Sequence, residues 1–119
     1  LIDRKREILA TYQKHLIIPP GIKMNPEPKG TTNGAWMPTV VFDKNSGVRR
    51  GSILKAFECE NIDARVFFWP LSQMEMFDSV ETNTNAWDIP ARAINLPSFH
   101  DMTEDDIHRV ISVITKLVQ

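Results

Sequence analysis

The sequence predicts an α+β fold: a two-layer small domain with about three short strands, mixed or antiparallel, and helices packed on one face. Three observations predict it. Segments with helical spacing alternate with short β-rich runs, in the order helix, strand, helix, strand, short helix, strand, helix. Each strand candidate meets a proline at one end, and Pro38 puts that end of the first strand at an edge or at its entry. The last segment combines a helix-start signature with a long apolar stripe. A length of 119 residues suits one domain, enough to bury roughly two-thirds of the unfolded surface.

Segment 1–16 places Ile2, Ile8, Leu9, Tyr12 and Leu16 on one helical face. Pro19-Pro20-Gly21 stops the segment, so 1–18 reads as one helix with its tail. Residues 19–35 hold four of the eight prolines and three of the five glycines without periodicity, and read as a long loop. Trp36–Asp43 is β-rich, with Pro38 at its start, and Lys44-Asn45-Ser46-Gly47 is a turn. Val48–Glu60 is helical through Ile53, Leu54 and Phe57. Asn61 then suits a left-handed residue past the helix end, with Ile62 packing back. Ala64–Trp69 is the second strand, closed by Pro70. Strand alternation would put Arg65, Phe67 and Trp69 on one face, an aromatic surface around a single cation. Asn83–Ala93 reads as a short helix broken at Pro90, and Ala93–Leu96 as a third strand ended by Pro97. In the last helix Thr103 is the N-cap, with Asp106 three residues on, and Met102 and Ile107 occupy the staple positions. Ile107, Val110, Ile111, Ile114, Leu117 and Val118 follow at helical spacing.

Composition excludes several functions. Lys plus Arg is 14 against 15 for Asp plus Glu, and a general nucleic-acid binder carries a basic excess. Apolar runs such as Leu16-Ile17-Ile18 fall far short of the ~20 residues of a membrane span. Cys59 is alone, so no intrachain disulfide forms and a reducing, cytoplasmic setting fits. The chain starts at Leu1 without a signal-peptide pattern, and is expected to be a piece of a longer protein.

Candidate chemistry is sparse. His15, His100 and His108 have no zinc-like pairing with Cys59 and read as surface or structural residues. Glu104-Asp105-Asp106 reads as helix-dipole stabilisation, about 0.3–1 kcal/mol per residue, rather than a cation site. Arg4-Lys5-Arg6 and Arg49-Arg50 read as solvated helix faces. Gly30 and Gly34 lack the Lys-Ser/Thr of a phosphate loop. Arg65, in an apolar strand two residues after Asp63, needs a partner or a water-filled cleft, because burying it unpaired is costly. Ligand cleft, interface and edge packing all remain open for its face.

Four segments carry a resemblance. Asn61-Ile62-Asp63-Ala64-Arg65-Val66-Phe67-Phe68-Trp69-Pro70-Leu71 resembles a helix-end turn, Arg-containing strand and aromatic-Pro-Leu exit of the DegT/DnrJ family of nucleotide-sugar aminotransferases. Arg92-Ala93-Ile94-Asn95-Leu96-Pro97-Ser98-Phe99-His100-Asp101-Met102-Thr103-Glu104-Asp105-Asp106-Ile107 resembles its C-terminal signature. Trp36–Asp43 is similar to perosamine synthetase-like members, and the first helix to the family's domain-linking helix. The resemblance implies a C-terminal small domain of the aspartate-aminotransferase-like fold, residues 1–119. Its parts would be a linking helix over 1–18, a loop over 19–35 and an α+β core over 36–119.

It also implies that a large domain outside this chain binds pyridoxal phosphate and supplies the anchoring lysine, since none of the seven lysines here sits in that context. The piece alone would be inactive, with no catalytic or cofactor-binding residue and no metal. Arg65, Ser72 and Met76 would border the substrate cleft. Family members often carry His where Ser72 stands and an aromatic residue where Met76 stands. Amino transfer to a 4-keto nucleotide sugar, with glutamate as donor in a homodimer, and sugar dehydration therefore both stay open. A non-catalytic binding module is the reading from another class.

Overall fold

The computed structural model describes residues 1–17 and 20–119. The expected helix tail at Ile18 and the Pro19 stop lie outside them. Helix α1 spans Ile2–Leu16 and buries Ile8, Leu9, Tyr12 and Leu16. Helix α2 spans Arg50–Cys59 and buries Ile53 and Phe57. The short α3 spans Thr84–Asp88 and runs into a 3-10 turn over Ile89–Arg92 that contains Pro90. Helix α4 spans Glu104–Leu117 and buries Ile107, Val110, Ile111, Val113 and Ile114. It packs against both α1 and α2.

The α+β class holds, but among the described residues the sheet has four strands, all paired antiparallel, where about three were expected. They are β1 (Ile22–Met24), β2 (Thr39–Phe42), β3 (Arg65–Val66) and β4 (Ala93–Asn95), in the spatial order β1-β2-β4-β3. The extra strand lies inside the stretch read as a loop. Gly21, at φ +92°, turns the chain back, and its carbonyl accepts from the Asp43 N–H at 2.7 Å. Ile22 thereby comes opposite Phe42. Three residues are too few to display a period of two, so no pattern announced them. Asn25 then imitates a ladder residue with its side chain. Its Nδ2 donates to the Met37 carbonyl at 2.9 Å, and its Oδ1 accepts from the Thr39 N–H at 2.8 Å.

Val40, Phe42 and Ile94 face the helices and close the core with Ile8, Tyr12, Leu16, Ile53, Phe57 and Ile114. Full burial of each such side chain contributes about 1.5–3 kcal/mol. Thr103 and Asp106 form the capping box reciprocally: Asp106 N–H donates to Thr103 Oγ1 at 3.1 Å, and Thr103 N–H donates to Asp106 Oδ2 at 2.9 Å. The staple residues Met102 and Ile107 are both buried. Asn61 is left-handed at φ 53°, and the Ile62 N–H donates back to the Phe57 carbonyl at 3.0 Å.

The basic run Arg4-Lys5-Arg6 is not a solvated face. Arg4 donates to the carbonyls of His100 and Met102, Lys5 to that of Ser98, and Arg6 to that of Asn33. Proline-rich connections leave carbonyls without ladder partners, and buried or half-buried acceptors must be paired. The first turns of α1 supply those donors.

Beside β4, Arg92 grips Asp88 through two donors, at 2.7 and 3.3 Å, and Lys44 reaches the same carboxylate at 3.2 Å. The Arg92 hydrogen bonds, aided by Lys44, hold the Asp88 carboxyl at about 2, below its ordinary 3.8. A carboxyl lowered on folding stabilises the native state above its unfolded value and loses that contribution as pH falls through the folded one. Between about pH 4 and 2 the native protein is therefore expected to lose more stability than an Asp88→Asn variant. Urea midpoints at pH 5 and pH 2.5 check this, and parallel losses in both proteins would contradict it.

Candidate functional site

Arg65 occupies the sheet edge, exposed, with its Nη2 2.9 Å from Asp63 Oδ2. It lines a cavity of about 500 Å³ between the start of α1, the segment before β2, the turn after α2, and α4. Lys5, Trp36, Asp63, Phe99 and Arg109 share that lining. Tyr12 supports it from below: its hydroxyl donates to the Pro97 carbonyl at 2.9 Å. Burial, with a smaller contribution from Asp106, raises the Tyr12 phenol well above its ordinary value, so it remains a protonated donor.

The cations of the cavity are engaged. Lys5 Nζ is held by the Ser98 carbonyl and by Ser98 Oγ at 3.3 Å. Arg65 has Asp63, and Arg109 donates to the Glu60 carbonyl at 2.9 Å. What remains free is aromatic surface, with Trp36 and Phe99 each more than half exposed. The arrangement suits a polar molecule with one flat or apolar side. It does not fit a covalently anchored aldehyde cofactor. Among the described residues the one lysine in the cavity is spent clamping the Ser98 loop, so no step through such a cofactor is derived from these residues.

Ser72 and Met76 do not line this cavity. Ser72 lies half-buried in a 3-10 turn over Leu71–Gln73, and Met76 is exposed on the segment that follows. The strand alternation expected past Val66 is absent. Pairing stops at Val66 opposite Ile94, because β4 begins only one residue earlier, straight out of the Pro90 turn. Phe68 and Trp69 are therefore both exposed instead of alternating. The cation of the aromatic surface is also a different one. The Arg50 guanidinium lies 3.7 Å from the centre of the Trp69 ring, while Arg65 turns to Asp63. Trp36 stacks with Phe68, ring centres 6.2 Å apart. Sequence reasoning missed both pairings, since neither shares a periodic face. The one available signal was a pair of arginines at the positive end of a helix dipole, a place that disfavours cations.

His15 and His108 meet edge to face, ring centres 5.2 Å apart, across α1 and α4. Among the described residues no three of His, Cys, Asp and Glu converge as a metal-ligand set. Among them, too, no helix is long and apolar enough to cross a membrane.

A family model described as the DegT/DnrJ/EryC1/StrS aminotransferase family matches residues 1–115. The chain belongs to that family. EpsN of Bacillus subtilis (strain 168), named as a pyridoxal phosphate-dependent aminotransferase, is 30% identical over 98% of this chain and 31% of its own length. The GDP-perosamine synthase of Vibrio cholerae is 26% identical over 96% of this chain and 32% of its own. This DegT/DnrJ chain thus spans about a third of the length of the curated relatives it matches. Among solved structures, the aminotransferase TlmJ from Streptoalloteichus hindustanus superposes with a TM-score of 0.83 at 19% identity, covering 98% of this chain and 31% of TlmJ. DesI, solved in the presence of its TDP-sugar product, superposes with a TM-score of 0.81 at 23% identity, covering 100% and 32%. These likenesses establish the small-domain fold of aminotransferases of this kind.

Proposed function

We propose that this chain is the C-terminal small domain of a cytoplasmic, homodimeric aminotransferase. In this reading the parent enzyme transfers an amino group from glutamate to a 4-keto nucleotide sugar of the perosamine type. The chain is inactive alone, and a large domain outside it binds pyridoxal phosphate and supplies the anchoring lysine. Arg65, Ser72 and Met76 border the substrate cleft once that domain is in place. The small domain's task is then to bind and orient the substrate and to exclude water.

The observation that carries the reading is the apolar surface between Phe68 and Phe77. Phe68, Trp69, Leu71, Met74, Met76 and Phe77 all stand exposed on one excursion of the chain. Exposed large apolar side chains gathered on one stretch of chain in this way support an interaction surface. Family membership and the length of the relatives support the occupant proposed here, a larger domain carrying the reactive centre.

The test is expression of the complete gene product beside the 119-residue chain. The longer protein is expected to hold pyridoxal phosphate covalently and to consume glutamate with a 4-keto nucleotide sugar, and the chain alone to do neither. A gene product without a lysine-bearing large domain, or full transfer activity in the chain alone, would overturn the proposal.

A further inference from the structure

Between Phe68 and Trp87 the chain leaves the sheet and returns with little to hold it. Among the described residues, the turn hydrogen bonds of this stretch close within it, from Gln73 to Pro70, Met74 to Leu71, Phe77 to Met74, Asn83 to Val80 and Ala86 to Asn83, and only the end of α3 reaches beyond it, through the Ile89 N–H to the Asn85 carbonyl. Few exposed turns of this kind persist without an anchor. One side chain touches both ends. Arg50, the first residue of α2, lies 3.7 Å from the Trp69 ring where the excursion departs. It donates to the Pro90 carbonyl from Nε at 3.1 Å and Nη2 at 2.6 Å where the excursion returns. A cation at that helix start is locally unfavourable. A broken local rule points to a tertiary use.

We propose that Arg50 is a positioning residue. It latches the base of the Phe68–Trp87 excursion by clasping Trp69 and Pro90 together, and so sets where Ser72 and Met76 stand. The planar guanidinium is required, because it must present a face to an indole and a fork of donors to a carbonyl at once. The importance of this for substrate rests on the function proposed above, whereas the latch itself does not.

Amide hydrogen exchange on the 119-residue chain tests the latch. Arg50→Ala is expected to speed exchange in peptides from 68–87 about 10-fold or more, from loss of a stacked cation and a charged hydrogen bond. Trp69→Leu removes only a half-exposed ring and is expected to speed it about 3-fold. Peptides of β2 and α4 should keep their protection in Trp69→Leu, which decides the matter if Arg50→Ala loosens the whole chain. Arg50→Lys should restore only part of the protection. Unchanged exchange over 68–87 in both Arg50→Ala and Trp69→Leu overturns the latch. In the complete enzyme, Arg50→Ala is expected to raise KM for the sugar nucleotide more than it lowers kcat. A loosened excursion with an unchanged KM would leave the latch standing and remove Ser72 and Met76 from the substrate cleft.

Discussion

Replacing Phe57 by Ala is expected to lower the unfolding free energy by about 3–5 kcal/mol, the usual cost of emptying a buried aromatic site. Phe57 is 1% exposed, at the centre of the contact between α2, α4 and the sheet. Its backbone carbonyl also accepts from Glu60 and Ile62, so the helix end is built around the same residue. The surrounding side chains belong to two helices and a sheet, and these cannot collapse together into the vacated volume. A small domain is stable by only about 5–15 kcal/mol, so the variant should unfold at a much lower denaturant concentration. Phe57→Leu, which keeps most of the volume, should cost less than half as much. Chemical denaturation of the three proteins checks this, and a loss below about 1 kcal/mol for Phe57→Ala would mean the site is not close-packed.

The second large effect is expected at Asn95, a polar residue only 2% exposed. Its Nδ2 donates to the Val66 carbonyl at 3.2 Å, and its Oδ1 accepts from Thr39 Oγ1 at 2.8 Å. One amide therefore ties β4 to both neighbouring strands. Asn95→Asp keeps the shape but sets a carboxylate oxygen against the Val66 carbonyl. An unpaired buried charge should cost about 3–5 kcal/mol at pH 7. Burial raises the pKa of the new carboxyl in the folded state, so the penalty is complete above that raised value. It fades as pH falls toward the unfolded carboxyl value of about 3.9. Protonated, the acid can again donate to Val66. The stability gap between variant and native protein should therefore close on acidification, whereas the gap for Asp88→Asn reflects stability the native protein itself loses. A gap independent of pH would show that the Asn95 amide donor is not needed.

Much of the fold is legible because its signals are local. Thr103 and Asp106, four residues from end to end, carry their own hydrogen bonds, and the stripe from Ile107 to Ile114 is read at a single period. Asn61 declares a left-handed helix end by its own backbone tolerance. The strand β1 was hidden because its evidence is a partner, Phe42, twenty residues away and separated by a proline-rich connection. The failed alternation after Val66 has the same origin. Whether Phe67 and Trp69 share a face depends on how far β4 can pair, and Pro90 sets that limit.

The candidate site divides along the same line. The presence of Arg65 in a short strand, of an aromatic-Pro exit and of a C-terminal signature resembling one aminotransferase family can be read from residue types in order. Those are properties of neighbours along the chain, where propensity, capping and proline sterics act. That Arg4, Lys5 and Arg6 clamp loop carbonyls, that Asn95 joins three strands and that Arg50 rather than Arg65 meets the tryptophan was decided only by tertiary structure. A long cationic side chain reaches many places, and the carbonyl or ring it finds depends on which distant segments the core draws together.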